Sequence, residues 1–239
     1  MTLKAALGPE LPYLRRYARA LTGSQSRGDE SVRNTLEALL QTPDSFDTAK
    51  PARIELFRIF HQLPDLPNRD RQSLLLSAIE GFDNHEIAEI LASTVEVVAS
   101  QTIAARRVIS EELEANVMII EDEPIIALHI RSIVEELGHS VTGVARTRTE
   151  AVALANTVKP ELVLADISLA DGSSGIDAVK DILGVMDVPV IFITAFPERL
   201  LTGERPEPTY LITKPFEPET VTATIGQALM VHREQHAKG

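Results

Sequence analysis

Along the first half of the chain apolar residues recur every three or four positions, in YLRRYARAL (13–21), SVRNTLEALLQ (31–41), RIELFRIFHQL (53–63), RQSLLLSAIEGF (71–82) and HEIAEILAS (85–93). That spacing sets them on one face of an α-helix and predicts five to seven helices up to Leu113. The pattern is interrupted at TGSQSRGDES (22–31), QTPDSFDTAKP (41–51) and LPDLPNRD (63–70), where Gly, Pro, Asp and Asn stop one helix and cap the next. After Asn116 the pattern changes. Short apolar runs (VMIIE, SVTGVA, ELVLAD, PVIFIT, TYLIT) alternate with amphipathic stretches (PIIALHIRSIVEEL, RTEAVALANTV, GIDAVKDIL, EPETVTATIGQALMVHRE). Strands too apolar to alternate are buried on both faces, so this half predicts a parallel sheet with helices on each side. Two domains result: an all-α N-terminal domain of two helical subdomains, residues 1–60 and 61–115, and an α/β flavodoxin-like (βα)5 domain over 116–239.

Composition narrows the chemistry. The 239-residue chain has no cysteine, which excludes disulfides, thiolate metal sites and thiol nucleophiles and suits a reducing cytoplasm. No run approaches the length of a membrane span and the N-terminus is not a secretory leader, so a soluble, unexported, cytoplasmic protein is expected. The formal net charge is −12, divided as +2 over residues 1–60, −6 over 61–115 and −8 over 116–239. An acidic surface on 61–115 is repelled by a nucleic-acid backbone.

Ligands of an open parallel sheet bind beyond the carboxyl ends of its strands. There the first predicted strand runs into Glu121, Asp122 and Glu123, the third ends in Asp166, the fourth in Thr194, and the fifth is followed by Lys214 and Pro215. Clustered carboxylates repel one another unless a cation lies between them, and oxygen ligands on an open site suit Mg²⁺. Lys214 adds a fixed positive charge for a phosphoryl group. This constellation resembles the receiver domain of two-component response regulators over residues 117 to about 232. The resemblance implies that Asp166 accepts a phosphoryl group from a phosphohistidine donor. It also implies that Glu121, Asp122, Asp166 and the Ser168 backbone carbonyl bind Mg²⁺, and that Thr194 and Lys214 contact the phosphoryl oxygens. Receivers often carry an aromatic switch residue three positions before the lysine. Here that position is Leu211, and FITAF (192–196) resembles the subclass in which Phe196 takes that role, a core position being the alternative. Lys214–Pro215 is expected to be cis, as in receivers generally.

The segment from Leu66 to Leu113 resembles the promoter-reading fourth region of extracytoplasmic-function sigma factors, with its LP start, Gly81-Phe82 turn and EIAEIL helix. GDESVRNTLEALLQTP upstream resembles their second region. The departures matter as much as the likeness. The helix that would read DNA carries Glu96, Ala99, Gln101 and Ala104 where bases are usual, Ala92 replaces the glycine of the turn, and the chain has no Trp. A major-groove reader needs Arg, Lys, Asn or Gln near its start; Gln101 is alone there, with Arg106 and Arg107 only near the end. A sigma-like half followed by a receiver, with PERLLTGERPEP and LITKPF, resembles the PhyR-type general stress response regulators of alphaproteobacteria. That resemblance implies a phosphorylation-dependent anti-anti-sigma factor and no enzyme. It implies two partners, a NepR-like anti-sigma factor and a sensor histidine kinase or phosphotransfer protein, with no direct contact to nucleic acid or membrane. Apolar positions for a partner helix are Leu36, Leu39, Leu40, Ile54 and Phe57, which a core would claim equally. The competing readings are a DNA-binding transcription factor gated by its receiver and an enzyme acting on a free phosphorylated metabolite. RRYAR (15–19) is expected to be a solvated helix face, and His61, His85 and His129, in different helical segments with no second ligand at metal spacing, are expected at surface or core positions rather than on a metal.

Overall fold

The computed structural model describes residues 3–64, 66–67, 69–112, 114–169, 171–197 and 208–236, with no account of the side chains of Leu3, Lys4 and residues 106–112. The chain divides into two compact units, Met1–Val108 and Ile109–Gly239.

The first unit is helical: α1 (Leu3–Leu7), α2 (Leu11–Thr22), α3 (Gln25–Gln41), a 3-10 turn at Pro43–Ser45, α4 (Ala52–Phe60), α5 (Arg69–Ala78), α6 (Asn84–Ile90) and α7, which starts at Val95 and ends at Glu112. One continuous apolar core runs from Leu7 to Val98, centred on Tyr17, Phe57, Phe60, Leu75 and Ile87. The two helical stretches expected as subdomains share it. The expected break at residues 22–31 shrinks to Gly23 and Ser24. Gly23 closes α2 in the left-handed conformation and the Ser24 hydroxyl accepts from the Arg27 N–H, so the polar residues that follow are already helix. Gly28 then lets α3 rest on α2: a Cβ there would lie 2.6 Å from the Arg19 backbone nitrogen.

The RRYAR arginines are not a solvated face. Arg19 is buried and donates twice to Asp29, at 2.8 Å each. Arg16 reaches Glu80 at 3.1 Å and the Ile79 carbonyl at 3.0 Å, and Arg53 reaches the same buried Glu80 at 2.8 Å. These pairs tie α2 to α3, α4 and the end of α5, and they consume the cations that a nucleic-acid patch would need. Of the apolar positions proposed for a partner helix, Leu39, Ile54 and Phe57 are core and Leu36 is half-buried, whereas Leu40 is 75% exposed.

His61 is buried against Tyr17, Nε2 lying 3.0 Å from the phenol oxygen. Burial, helped by the Arg69 charge, pushes its pKa down to about 3. The folded state keeps the ring neutral while the unfolded chain protonates it near 6.5, so stability is complete above about pH 6.5 and lost as pH falls toward 3. Across that window His61 should contribute about 1.4 kcal/mol of destabilisation per pH unit. Denaturation midpoints of the native chain and His61→Gln, measured from pH 7 to pH 4, should therefore diverge in slope; parallel slopes would remove His61 from the acid response.

The second unit alternates strand and helix: β1 (Asn116–Ile120), α8 (Pro124–Glu136), β2 (Ser140–Ala145), α9 (Arg148–Val158), β3 (Leu162–Ala165), α10 (Gly175–Leu183), β4 (Val190–Thr194), β5 (Tyr210–Thr213) and α11 (Pro218–His236). All pairings are parallel, in the order β2-β1-β3-β4-β5, the flavodoxin-like arrangement expected. Met118 and Ile120 pack with α9 and α10, and by strand alternation Val117 and Ile119 face the other layer. Lys214–Pro215 is cis. Among the described residues no single helix is long and apolar enough to cross a membrane.

Candidate functional site

The strand order reverses between β1 and β3, and the predicted residues meet at that switch point. Ile120 is in register with Ala165, so Glu121 and Asp166 emerge side by side, and the Asp166 N–H donates to the Ile120 carbonyl at 2.8 Å. On the other flank Thr194 pairs with Thr213, and the Lys214 N–H donates to the Thr194 carbonyl at 2.8 Å. The sheet thus sends the Lys214 ammonium between the two acids, 2.7 Å from Asp166 Oδ2 and 2.8 Å from Glu121 Oε2.

Both carboxylates are nearly inaccessible, Glu121 at 1% and Asp166 at 7%. Burial raises the Glu121 pKa, Lys214 pulling against it. Burial alone would lower the Lys214 pKa, but the hydrogen bonds and charges of Asp166 and Glu121 outweigh it and the net direction is upward. Asp166 Oδ1 accepts the Ile167 N–H at 2.5 Å, which fixes the carboxylate plane and leaves Oδ2 to the lysine. Asp122 is half-buried, and one oxygen from each of Glu121, Asp122 and Asp166 lies within 4.8 Å of the others. Three carboxylates against one ammonium leave two uncompensated negative charges, a donor set that fits a hard divalent cation.

Ser168 is half-buried beside Asp166 and bridges to Ser174 across the β3–α10 loop. Thr194 is wholly buried, and its hydroxyl accepts the Phe196 N–H at 3.1 Å. Phe196 itself is 44% exposed, so the core alternative for this ring is wrong; Leu211, at the usual switch position, is the residue that packs in the core. Sequence reasoning missed Gly175. A Cβ there would fall 1.7 Å from the Asp166 carbonyl oxygen, and only glycine lets the start of α10 close on the Asp166 backbone.

In the sigma-like unit α6 and α7 form the helix-turn-helix, with Ala92 at φ +49° in the turn that favours glycine. Gln101, alone in sequence as a base reader, is turned inward: its Oε1 accepts from the buried Ser73 hydroxyl at 2.8 Å. The exposed positions of α7 from Val95 to Ala105 are Glu96, Val97, Ser100, Ile103 and Ala104, without a cation. The side chains of Arg106 and Arg107, and most of PERLLTGERPEP, lie outside the described residues.

Comparison with known proteins agrees with these two halves. Residues 7–61 match the model for the sigma2 domain of PhyR, 63–112 the sigma-like domain of response regulator PhyR, and 117–226 the response regulator receiver domain. The chain is 49% identical to the phyllosphere-induced regulator PhyR of Methylorubrum extorquens, over 92% of its own length and 91% of the relative's. The chain belongs to the PhyR family. The response regulator PhyR from Brucella abortus superposes with a TM-score of 0.95 at 53% identity, over 100% of this chain and 98% of that one. The anti-anti-sigma factor PhyR from Bartonella quintana gives 0.93 at 51%, over 99% of each. The family's receiver is therefore present with its sheet intact, and Glu121, Asp166, Thr194 and Lys214 converge at its carboxyl edge.

Proposed function

We propose that this chain is a phosphorylation-dependent anti-anti-sigma factor of the general stress response; its Bartonella quintana relative is described as an anti-anti-sigma factor. Phosphorylated at Asp166 by a histidine kinase or phosphotransfer protein, it sequesters an anti-sigma factor through its sigma-like unit, and a sigma factor is released. The observation that carries the choice of a protein partner over DNA is the inward hydrogen bond of Gln101 to Ser73, which removes the one base reader at the start of the recognition helix. Its relatives are regulators, and the acidic pocket acts on its own Asp166 in this reading.

The chemistry follows from the pocket. Asp166 Oδ attacks the phosphorus of a phosphohistidine as the P–N bond breaks, and the leaving imidazole takes the electron pair and a proton. Glu121, Asp122, Asp166 and the Ser168 backbone carbonyl are the groups that would hold Mg²⁺, which would offset negative charge on the transferring phosphoryl group. Lys214 needs little travel to pair with them, because it already sits 2.7 Å from the attacking carboxylate. Thr194 donates its hydroxyl to a phosphoryl oxygen, and since that hydroxyl also holds the Phe196 N–H, its rotation is transmitted to an aromatic ring at the surface.

Calorimetry tests the proposal: a purified anti-sigma factor of this family is titrated with the full chain, with and without beryllofluoride and Mg²⁺. Affinity should rise at least about tenfold with the mimic, a coupling of about 1.4 kcal/mol. Equal affinity in both states, together with promoter binding that falls steeply with salt, would replace this function with a receiver-gated transcription factor.

A further inference from the structure

The last helix carries a histidine pair outside the phosphoacceptor pocket. His232 and His236 are one turn apart on α11, the spacing that puts two side chains on the same face, and their ring centroids are 4.2 Å apart. Facing them is Asp187, from the loop between α10 and β4, with Oδ2 3.0 Å from His236 Nε2. One ligand atom from each of the three lies within 4.8 Å of the others. His236 Nδ1 lies 2.8 Å from the His232 carbonyl oxygen. Donating that N–H to the backbone fixes the ring and directs Nε2 to the shared point, the support commonly given to a metal-binding imidazole.

We propose that Asp187, His232 and His236 form a site for a divalent transition-metal ion of the zinc class, with solvent completing the coordination. Two imidazoles and one carboxylate are the ligand set of zinc rather than of Mg²⁺ or Ca²⁺, which take oxygen. A simple ion pair between His236 and Asp187 would account for one of the two rings. It gives no role to His232, whose ring lies beside its neighbour, tilted by 45°, with one nitrogen within 4.8 Å of a ligand atom of each of the other two groups. The site is separate from the acidic pocket: Asp187 precedes β4 and Thr194 ends it, so the whole strand lies between them. Because the ligands come from two elements, an ion here would fasten the end of α11 to the α10–β4 loop.

The test uses the full chain with Mg²⁺ in excess, so that the acidic pocket is already filled, and zinc as the probe. Imidazole nitrogen resonances recorded during the titration should shift at His232 and His236 by one equivalent. In calorimetry His236→Gln should lose the site, and Asp187→Asn should weaken it on the order of tenfold or more, since even an outer-shell partner is worth ~10–100-fold in affinity. Asp166→Asn should retain it. Zinc should also raise the melting temperature of the native chain and not that of His232→Gln/His236→Gln. Unshifted His232 and His236 resonances, or equal zinc affinity in the native chain and the double variant, would overturn the site.

Discussion

Replacing Asp166 by alanine is expected to leave a folded protein whose affinity for an anti-sigma factor no longer responds to a phosphodonor. The substitution removes the carboxylate proposed as the phosphoacceptor, and Glu121 is not placed to replace it, being bound to the same lysine and still more buried. The fold should survive because Lys214 keeps Glu121 at 2.8 Å, so the buried ammonium remains paired, and the strand-end backbone bond from Asp166 to Ile120 does not depend on the side chain. Asp166→Asn retains the shape and the acceptor for the Ile167 N–H and should behave alike. The ratio of affinities with and without phosphodonor should fall from about tenfold or more to one, read by calorimetry against the same anti-sigma factor. An Asp166→Ala protein that is still activated would move the phosphoacceptor elsewhere.

The strand-end residues were legible in the sequence because a parallel sheet obliges ligand groups to gather at one edge. Once VMIIE, ELVLAD, PVIFIT and TYLIT are strands, Glu121, Asp166, Thr194 and Lys214 have one place to meet. Helical spacing likewise separated the two units. What it hid were partners distant along the chain. Arg16 and Glu80 are 64 positions apart, and nothing local distinguishes an arginine bound to buried Glu80 from one in water. The same holds for Gln101, whose engagement with Ser73 needs α5 and α7 packed together, and for Asp187 with His236, 49 positions apart. Leu39, Ile54 and Phe57 fit either a core or a partner surface until the helices are assembled, because periodicity gives the apolar face without saying what covers it. Gly175 escaped notice for another reason: its role is the absence of atoms, and it appears only when the Asp166 backbone is seen against it.

Gly175 gives the second large effect. Alanine at this position would bring its Cβ to 1.7 Å from the Asp166 carbonyl oxygen and 2.9 Å from the carbonyl carbon, both backbone atoms that cannot rotate aside. Either α10 must withdraw from the β3–α10 loop or the Asp166 peptide must shift. Withdrawal breaks the 2.7 Å bond from the Gly175 N–H to the Ile167 carbonyl and opens the packing of Ala178 and Ile182 on the sheet; a peptide shift misaligns the Asp166 carboxylate with Lys214. Gly175→Ala should therefore cost about 3 kcal/mol, the upper end of ordinary overpacking, and slow phosphoryl uptake as well. Ser174→Ala separates this from simple helix damage. Ser174 caps the same helix, its hydroxyl accepting the Ile176 N–H at 3.1 Å, and its loss should cost about 1 kcal/mol with phosphorylation kept. Denaturation midpoints and the rate of phosphorylation by a phosphodonor, measured on both variants, distinguish the two outcomes. If Gly175→Ala is phosphorylated at the native rate and loses no more stability than Ser174→Ala, the close approach of α10 does not position Asp166.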